Sequence, residues 1–533
     1  MKKIAFTVVA LMLLGAGSLF GYRFAHQHAL WELWDELGLV SEEDGRIAVY
    51  TEGEIEKKSL EDIKKAAAYF NEYTKKNMDA SLHRPVQLFV SGEEESYKTV
   101  LEREFGLASN EAARVAAISG GWSGGSAHIT AVNASAGVMT TFGDRYNTTG
   151  HELFHQLQHE LSHGKDVDER SLFWLEEGSA DYIGAALADS LGGKPLWKWQ
   201  LDVKAALLRA RSTVKPTALQ HCDFEQRKKL MDKSFHTYQV ADLMTGYLLE
   251  KFPPEKRLVL IGEYFRALSK YENGEDAFHH VFGMELENFL QEYMSWWNDF
   301  CHQPAVFHYE TGPGLKNDRA IAIKNEIEAM QHWLEGSLGT RLRGEYFVFL
   351  SGNEGEMAKA LAKYTELDID KAKSMAASSL CVENGGVLIV NGAHLEEDKQ
   401  RAFSLGILAM RTYEGQVLGE AKDKGHAWLL HGAAYLAGIN RQANVSGYMV
   451  KDYIRTAQEI VRGRNLPRAE TLQNESDYKK AVERYGEKEI AAVTELAVYE
   501  LIRNHGWSSF VTYLQETAKN NDGGRAYRNI YGK

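Results

Sequence analysis

The chain has 533 residues, a net charge of −13 at pH 7 and an ordinary globular composition, 44% hydrophobic and 25% charged. That length is too great for one hydrophobic core, so two or more domains are expected. The acidic balance argues against nucleic acid or an anionic membrane as the main partner. Three cysteines, Cys222, Cys301 and Cys381, rule out a disulfide framework and leave either a Cys222–Cys301 bridge or three unpaired thiols.

Lys2-Lys3 precede an apolar run from Ile4 to Tyr22. This reads as a secretory signal peptide or signal-anchor over residues 1–22, just long enough to span a bilayer. Either reading places the rest of the chain outside the cytoplasm: secreted, periplasmic or anchored by that segment. Residues 23–45 read as a helix with Trp31, Leu33, Trp34 and Leu37 on one side. A short strand is expected over 46–50, an amphipathic helix over 59–73 capped by Ser59, and a strand over 85–90 ending at Ser91-Gly92. A helix through Phe105 and a helix turning into strand over 112–118 follow. Gly120-Gly121-Trp122-Ser123-Gly124-Gly125 reads as a flexible loop, and it lacks the Lys-Ser/Thr ending of a phosphate loop. His128 to Asn133 alternates as a strand.

Thr148 to Leu157 contains His151-Glu152-Leu153-Phe154-His155. On a helix, residues four apart share a face, so both imidazoles can reach one ion, while Leu153, Phe154, Leu157 and Leu161 form a core face. H-E-x-x-H is the metal half of a zinc hydrolase, with the Glu as base. Thr149-x-x-Glu152 is also a capping box, which gives Glu152 a purely structural alternative.

A zinc site needs a third protein ligand. Downstream, Phe173-Trp174-Leu175-Glu176-Glu177-Gly178-Ser179-Ala180-Asp181 carries a W-L-x-E-G-x-A pattern with an acid four residues after its Glu. It resembles the third-ligand helix of the gluzincin metallopeptidases, the group of thermolysin-like and aminopeptidase N-like enzymes. The resemblance implies that His151, His155 and Glu177 hold one Zn2+, with Glu176 the competing ligand and Glu152 the general base. It implies that Asp181 fixes the tautomer of a ligand histidine, that the strand before the metal helix borders the cleft, and that Tyr238, with His236 second, donates to the oxyanion. The G-x-M-E-N signature of aminopeptidase N-like enzymes is absent, and Gly137-Val138-Met139-Thr140-Thr141 is a faint echo of it. The metzincin pattern fails, because Gln158 and Leu161 stand where it needs Gly and a third His.

Phe235 to about Glu250 and Glu285 to Trp297 read as further helices, closing a first unit over residues 23–301. Residues 302–318, with Gly312-Pro313-Gly314, read as a linker. The rest, 319–533, echoes the first half. Leu88-Phe89-Val90-Ser91-Gly92 resembles Val348-Phe349-Leu350-Ser351-Gly352, Ala131-Val132-Asn133 resembles Ile389-Val390-Asn391, and Trp174 to Gly178 resembles Trp428 to Gly432. Arg411 and Gly415 stand opposite His151 and His155, His431 opposite Glu177, Tyr435 opposite Asp181, and Ala491 opposite Tyr238. Arg and Gly cannot replace imidazole ligands.

The expectation is therefore an α+β chain: a zincin-like unit with a mixed-sheet N-lobe and a helical C-lobe, then a degenerate duplicate kept for packing, substrate presentation or partner binding. The expected activity is zinc-dependent hydrolysis of a peptide or protein substrate. Two alternatives remain, a non-catalytic binding or scaffold protein with a vestigial site and a zinc hydrolase of a non-peptide amide.

Overall fold

The computed structural model describes residues 46–532 except 125–127, 136, 164–166, 223 and 231–234. The expected N-terminal signal or anchor and the helix over 23–45 lie outside these residues. Among the described residues no helix is long and apolar enough to cross a membrane.

The first half opens with strand β1 (Ile47–Glu52), helix α1 (Lys57–Met78) and strand β2 (Val86–Ser91). β2 pairs in parallel with β1, and five of its six residues are buried. Ser59 is not the cap of α1: the helix starts two residues earlier, and the Ser59 hydroxyl donates to Glu56 Oε2 at 2.8 Å. Helices α2 (Glu94–Phe105) and α3 (Ser109–Ile118) follow and bury Tyr97, Val100, Leu101, Ala112 and Val115 against Phe89, Ile129 and Ala131.

Strands β3 (Gly121–Gly124) and β4 (Ile129–Asn133) complete a sheet of order β1-β2-β4-β3, in which β3 alone is antiparallel. This corrects two expectations. The glycine-rich stretch read as a loop is an edge strand, and the strand read as bordering the cleft is internal. Glycines at 121 and 124 erase the side-chain alternation that marks a strand, so its backbone pairing left no signal in the sequence.

Helix α4 (Phe142–Leu161) lies against α1, and the buried Arg145–Asp62 ion pair, 2.7 Å, ties the two together. Next come α5 (Phe173–Ser190), α6 (Leu196–Arg209), α7 (Thr237–Glu250), α8 (Pro254–Leu268), α9 (Gly274–Phe282) and α10 (Leu286–His302).

The second half repeats this order. Strand β5 (Val306–Thr311) falls inside the stretch read as a linker and pairs in parallel with β6 (Glu345–Ser351). Alternating Phe307 and Tyr309 supply the strand signal that the neighbouring Gly-Pro-Gly obscured. Between them runs α11 (Asn317–Leu338); after them come α12 (Glu354–Thr365), α13 (Ile369–Ser378), β7 (Cys381–Asn384) and β8 (Val387–Asn391). The sheet order is β5-β6-β8-β7, with the same directions as the first. Helices α14 (Asp398–Leu418), α15 (Ala427–Ser446), α16 (Val450–Val461), α17 (Glu475–Tyr485), α18 (Glu487–Asn520) and α19 (Gly523–Tyr531) finish the chain.

The repeat holds at the level of single contacts. α1 and α11 each have 22 residues, α2 and α12 each 12, α3 and α13 each 10. Ser91 pairs with Asn133 as Ser351 pairs with Asn391, and all four are fully buried. Leu82 N donates to Asn71 Oδ1 at 3.0 Å, and Leu342 N to Gln331 Oε1 at 3.2 Å. A Cβ on Gly178 would meet Ala241 O at 2.3 Å, and one on Gly432 would meet Thr494 O at 2.5 Å. The same glycine thus lets α5 approach α7 and α15 approach α18. Gly506, with φ 77° and ψ 164°, breaks α18 where the first half separates α7 from α8.

Packing does not follow the repeat. Among the described residues, one compact unit takes Arg46 to Ser171 together with Phe252–Gly283; the other takes Leu172–Lys251 and the residues from Met284 onward. In the first unit, α8 packs on α1 and α4, with Phe154 and Phe265 edge to face at 5.9 Å. In the second, α6 lies on the second sheet: Leu201 joins the Phe349, Val387 and Ile389 cluster, and Arg209 and Lys204 pair with Glu383 and Glu345 at 2.6 and 3.0 Å. All three cysteines are thiols, so the Cys222–Cys301 bridge does not form.

Candidate metal centre

Helix α4 begins at Phe142, nine residues before His151, and its capping box is Thr141 with Asp144. Thr149 and Glu152 therefore stand in the helix interior, and the capping explanation of Glu152 is removed. Polar contacts seat this helix on the sheet edge. Ser123 Oγ and Thr130 Oγ1 donate to the Glu152 carbonyl at 3.1 and 3.3 Å, and Gln156 Nε2 donates to Ile129 O at 3.2 Å. Sequence reasoning missed these three side chains, because their partners are set by tertiary packing.

The two imidazoles lie edge to face, with Nε2 atoms 3.0 Å apart. His155 Nδ1 donates to Gln158 Oε1 at 2.8 Å. An amide oxygen only accepts, so Nδ1 carries the proton and Nε2 of the neutral ring presents its lone pair. Two nitrogens about 2.0–2.1 Å from a tetrahedral zinc sit about 3.3 Å apart, close to this separation.

Glu177, buried on α5, is the third candidate donor. Ligand atoms of His151, His155 and Glu177 all lie within 4.8 Å of one another, so this group can hold a metal ion. Its neighbour is committed elsewhere. Glu176 is buried and receives both ends of the Arg227 guanidinium, at 2.8 and 2.9 Å, from the short helix Phe224–Leu230. Burial makes that bidentate pair costly to break, which takes Glu176 out of competition as a ligand.

Glu152 is buried, with Oε1 4.0 Å from His151 Nε2. Its side chain fills the space that Gly121 leaves at the sheet edge, where a Cβ would come within 2.4 Å of Glu152 Cγ. The carboxylate also acts on the buried Tyr97 phenol, whose pKa is raised well above its ordinary value by burial first and by Glu152 second.

Asp181, one turn beyond Glu177, hydrogen-bonds Asp242 of α7. Burial, then the charge of Asp181 and its hydrogen bond, then the charge of Glu177 raise the Asp242 carboxyl well above the usual carboxylate range. Asp242 was not singled out in the sequence; its only trace there was an acid inside an otherwise apolar helix. Tyr238 stands half-buried in the first turn of α7. His236, at the left-handed N-cap of that helix, is drawn to Glu420, Nε2 to Oε1 2.5 Å.

In the second half, two of the three positions that match the candidate ligands, 411 and 431, are also in contact, with different chemistry. Arg411 Nη2 donates to His431 Nδ1 at 3.1 Å, His431 Nε2 donates to Glu475 at 2.9 Å, and His431 stacks on Tyr478 at 3.8 Å. A guanidinium occupies the place of His151.

No protein-family model matches the chain, nor does any curated protein or solved structure.

Proposed function

We propose that the protein is a zinc metallopeptidase of the gluzincin type, acting outside the cytoplasm on peptide or protein substrates, with a zincin-like catalytic half and a degenerate second half. The observation that carries this reading is the convergence of His151, His155 and Glu177, from two motifs separated in sequence, to within 4.8 Å. Two imidazoles and one carboxylate are the donor set of a catalytic zinc with an open fourth position. A zinc ion bound there supplies a water whose pKa is lowered to about 7.

The chain's own residues do the rest. Gln158 holds His155 in the tautomer that ligates. Glu152, pressed on Gly121 beside His151, takes a proton from the attacking water and passes it to the leaving amine. Tyr238 is assigned the oxyanion, His236 being engaged by Glu420. The second half lacks a donor at 411 and 415 and holds His431 between Arg411 and Glu475, and helix α6 lies over its edge hairpin: Lys198 Nζ reaches Asn384 Oδ1 at 3.4 Å. That hairpin is closed to an added strand.

Metal analysis and a peptide-library cleavage assay test the proposal together. The purified chain should carry one zinc, His155→Ala should lose it, and cleavage should stop with it. Full zinc occupancy in His155→Ala would sink the ligand assignment. Zinc without peptide cleavage, but with hydrolysis of small amides, would move the substrate class.

A further inference from the structure

Helices α6, α7 and α10 enclose a crevice that the proposed catalysis does not use. Trp199 of α6, Gly246 and Tyr247 of α7 and Trp296 of α10 line it, and it holds about 10 Å³, room for one water-sized group. The Tyr247 and Trp296 rings stack with centroids 4.7 Å apart.

A buried polar atom is left over here. Asp242, only 5% exposed, also lines the crevice, and its Oδ1 has no hydrogen-bond partner among the described residues. Its hydrogen bond with Asp181 does not use that oxygen. Buried acceptors are almost always satisfied by protein, water or a ligand.

Gly246 makes the space. A Cβ there would meet only Gln200 Nε2, at 3.3 Å. The crossings of Gly178 with Ala241 and of Gly432 with Thr494 match Asp242 to Glu495 and Gly246 to Tyr499. The second half thus keeps the buried acid but puts a tyrosine one turn from it, packed on that half's core, where the first half has no side chain.

The lining identifies the occupant by charge and size. Glu250 lines the crevice as well and makes no ion pair among the described residues. Lys204, the basic residue of the lining, is committed to Glu345 at 3.0 Å. Tyr247 already carries one ammonium: Lys251 Nζ lies 4.7 Å over its ring and is neutralised by Glu292 at 2.7 Å. Indole and phenol faces attract cations, and a carboxyl oxygen without a proton accepts from an ammonium whether or not its twin is protonated. One water's room admits an –NH3+ head on a methylene stem and excludes a quaternary ammonium.

We propose that this crevice binds a primary ammonium group, which donates to Asp242 Oδ1 among the Trp199, Tyr247 and Trp296 rings, with its alkyl stem toward the exposed Glu250. The group belongs to an alkylamine or to a lysine side chain of a bound polypeptide. The site does not depend on the metal assignment.

Saturation-transfer NMR on the full-length chain tests this with n-butylamine, cationic at about pH 7, with 1-butanol as its neutral isostere and tetramethylammonium as the oversized cation. n-Butylammonium should bind saturably, and the other two at least about tenfold more weakly. Nα-acetyl-lysine amide should displace it, and the tighter of the two identifies the source of the group. Gly246→Ala puts a methyl group into the crevice and favours the helix, so it should weaken binding at least about tenfold without lowering the melting point. Glu250→Gln, at an exposed position, should weaken it several-fold with the fold intact. Equal binding of 1-butanol overturns the proposal, as does native affinity in Gly246→Ala or the absence of saturable n-butylammonium binding.

Discussion

Glu152 is where the proposed catalysis can be tested apart from architecture. It sits in the helix interior, so Glu152→Gln removes no cap and should leave fold and zinc content unchanged. Turnover should fall by about 10²–10⁴, measured on the best library peptide; an unaltered rate would end its role as base. Gln158 acts one bond further out. Gln158→Ala frees the His155 tautomer and should weaken zinc binding about 10–100-fold, read by competition with a chelator. Glu495 is a buried acid of the second half. Burial pushes its carboxyl from 4.5 up to about 8. The folded chain thus binds that proton more tightly than the unfolded chain, and the stability it gives is complete below pH 4.5 and lost as pH rises through 8. Glu495→Gln should flatten that loss, so its melting point should exceed the native one at about pH 9 and converge with it toward about pH 4.

At the scale of elements, the helices were the most legible feature of the sequence. The spacing of His151 and His155 is local, and so is the Trp174 to Gly178 pattern, so both could be placed before any contact was known. What escaped was set by pairing across the chain. β3 hides because its glycines carry no alternation, and β5 hides beside a Gly-Pro-Gly. Arg227, which decides between Glu176 and Glu177, lies 51 residues from its partner. Asp242 gave no sign of Asp181. Gly178 and Gly432 show the converse: a single residue type, readable in the sequence, marks the same helix crossing in both halves. Each Gly→Ala change should cost about 1–3 kcal/mol through overpacking, seen in denaturant unfolding. Gly178→Ala should also lower zinc retention because it displaces the neighbouring ligand, whereas Gly432→Ala should not. Equal zinc content in both variants would uncouple that crossing from the site.

For the whole molecule, the repeat visible in the sequence and the compact units visible in space cut the chain at different places. The first half's helix α6 finishes its core on strands of the second half, through Leu201, Arg209 and Lys204. Residues 46–303 alone should therefore fail to give a protease-resistant fold, while the full chain does. A cooperative melt from that fragment would show the halves to be autonomous.

The interleaved units also set an order of events on the ribosome. Lys204 emerges 141 residues before Glu345, the partner it pairs with. At about 5–20 residues per second that wait is roughly 7–28 s. During that interval α6 and its apolar face have no sheet to lie on. The second half is thus the scaffold on which part of the first half completes its folding. The newborn chain must be shielded until that scaffold arrives, so its yield should depend on holding chaperones more than its final stability does.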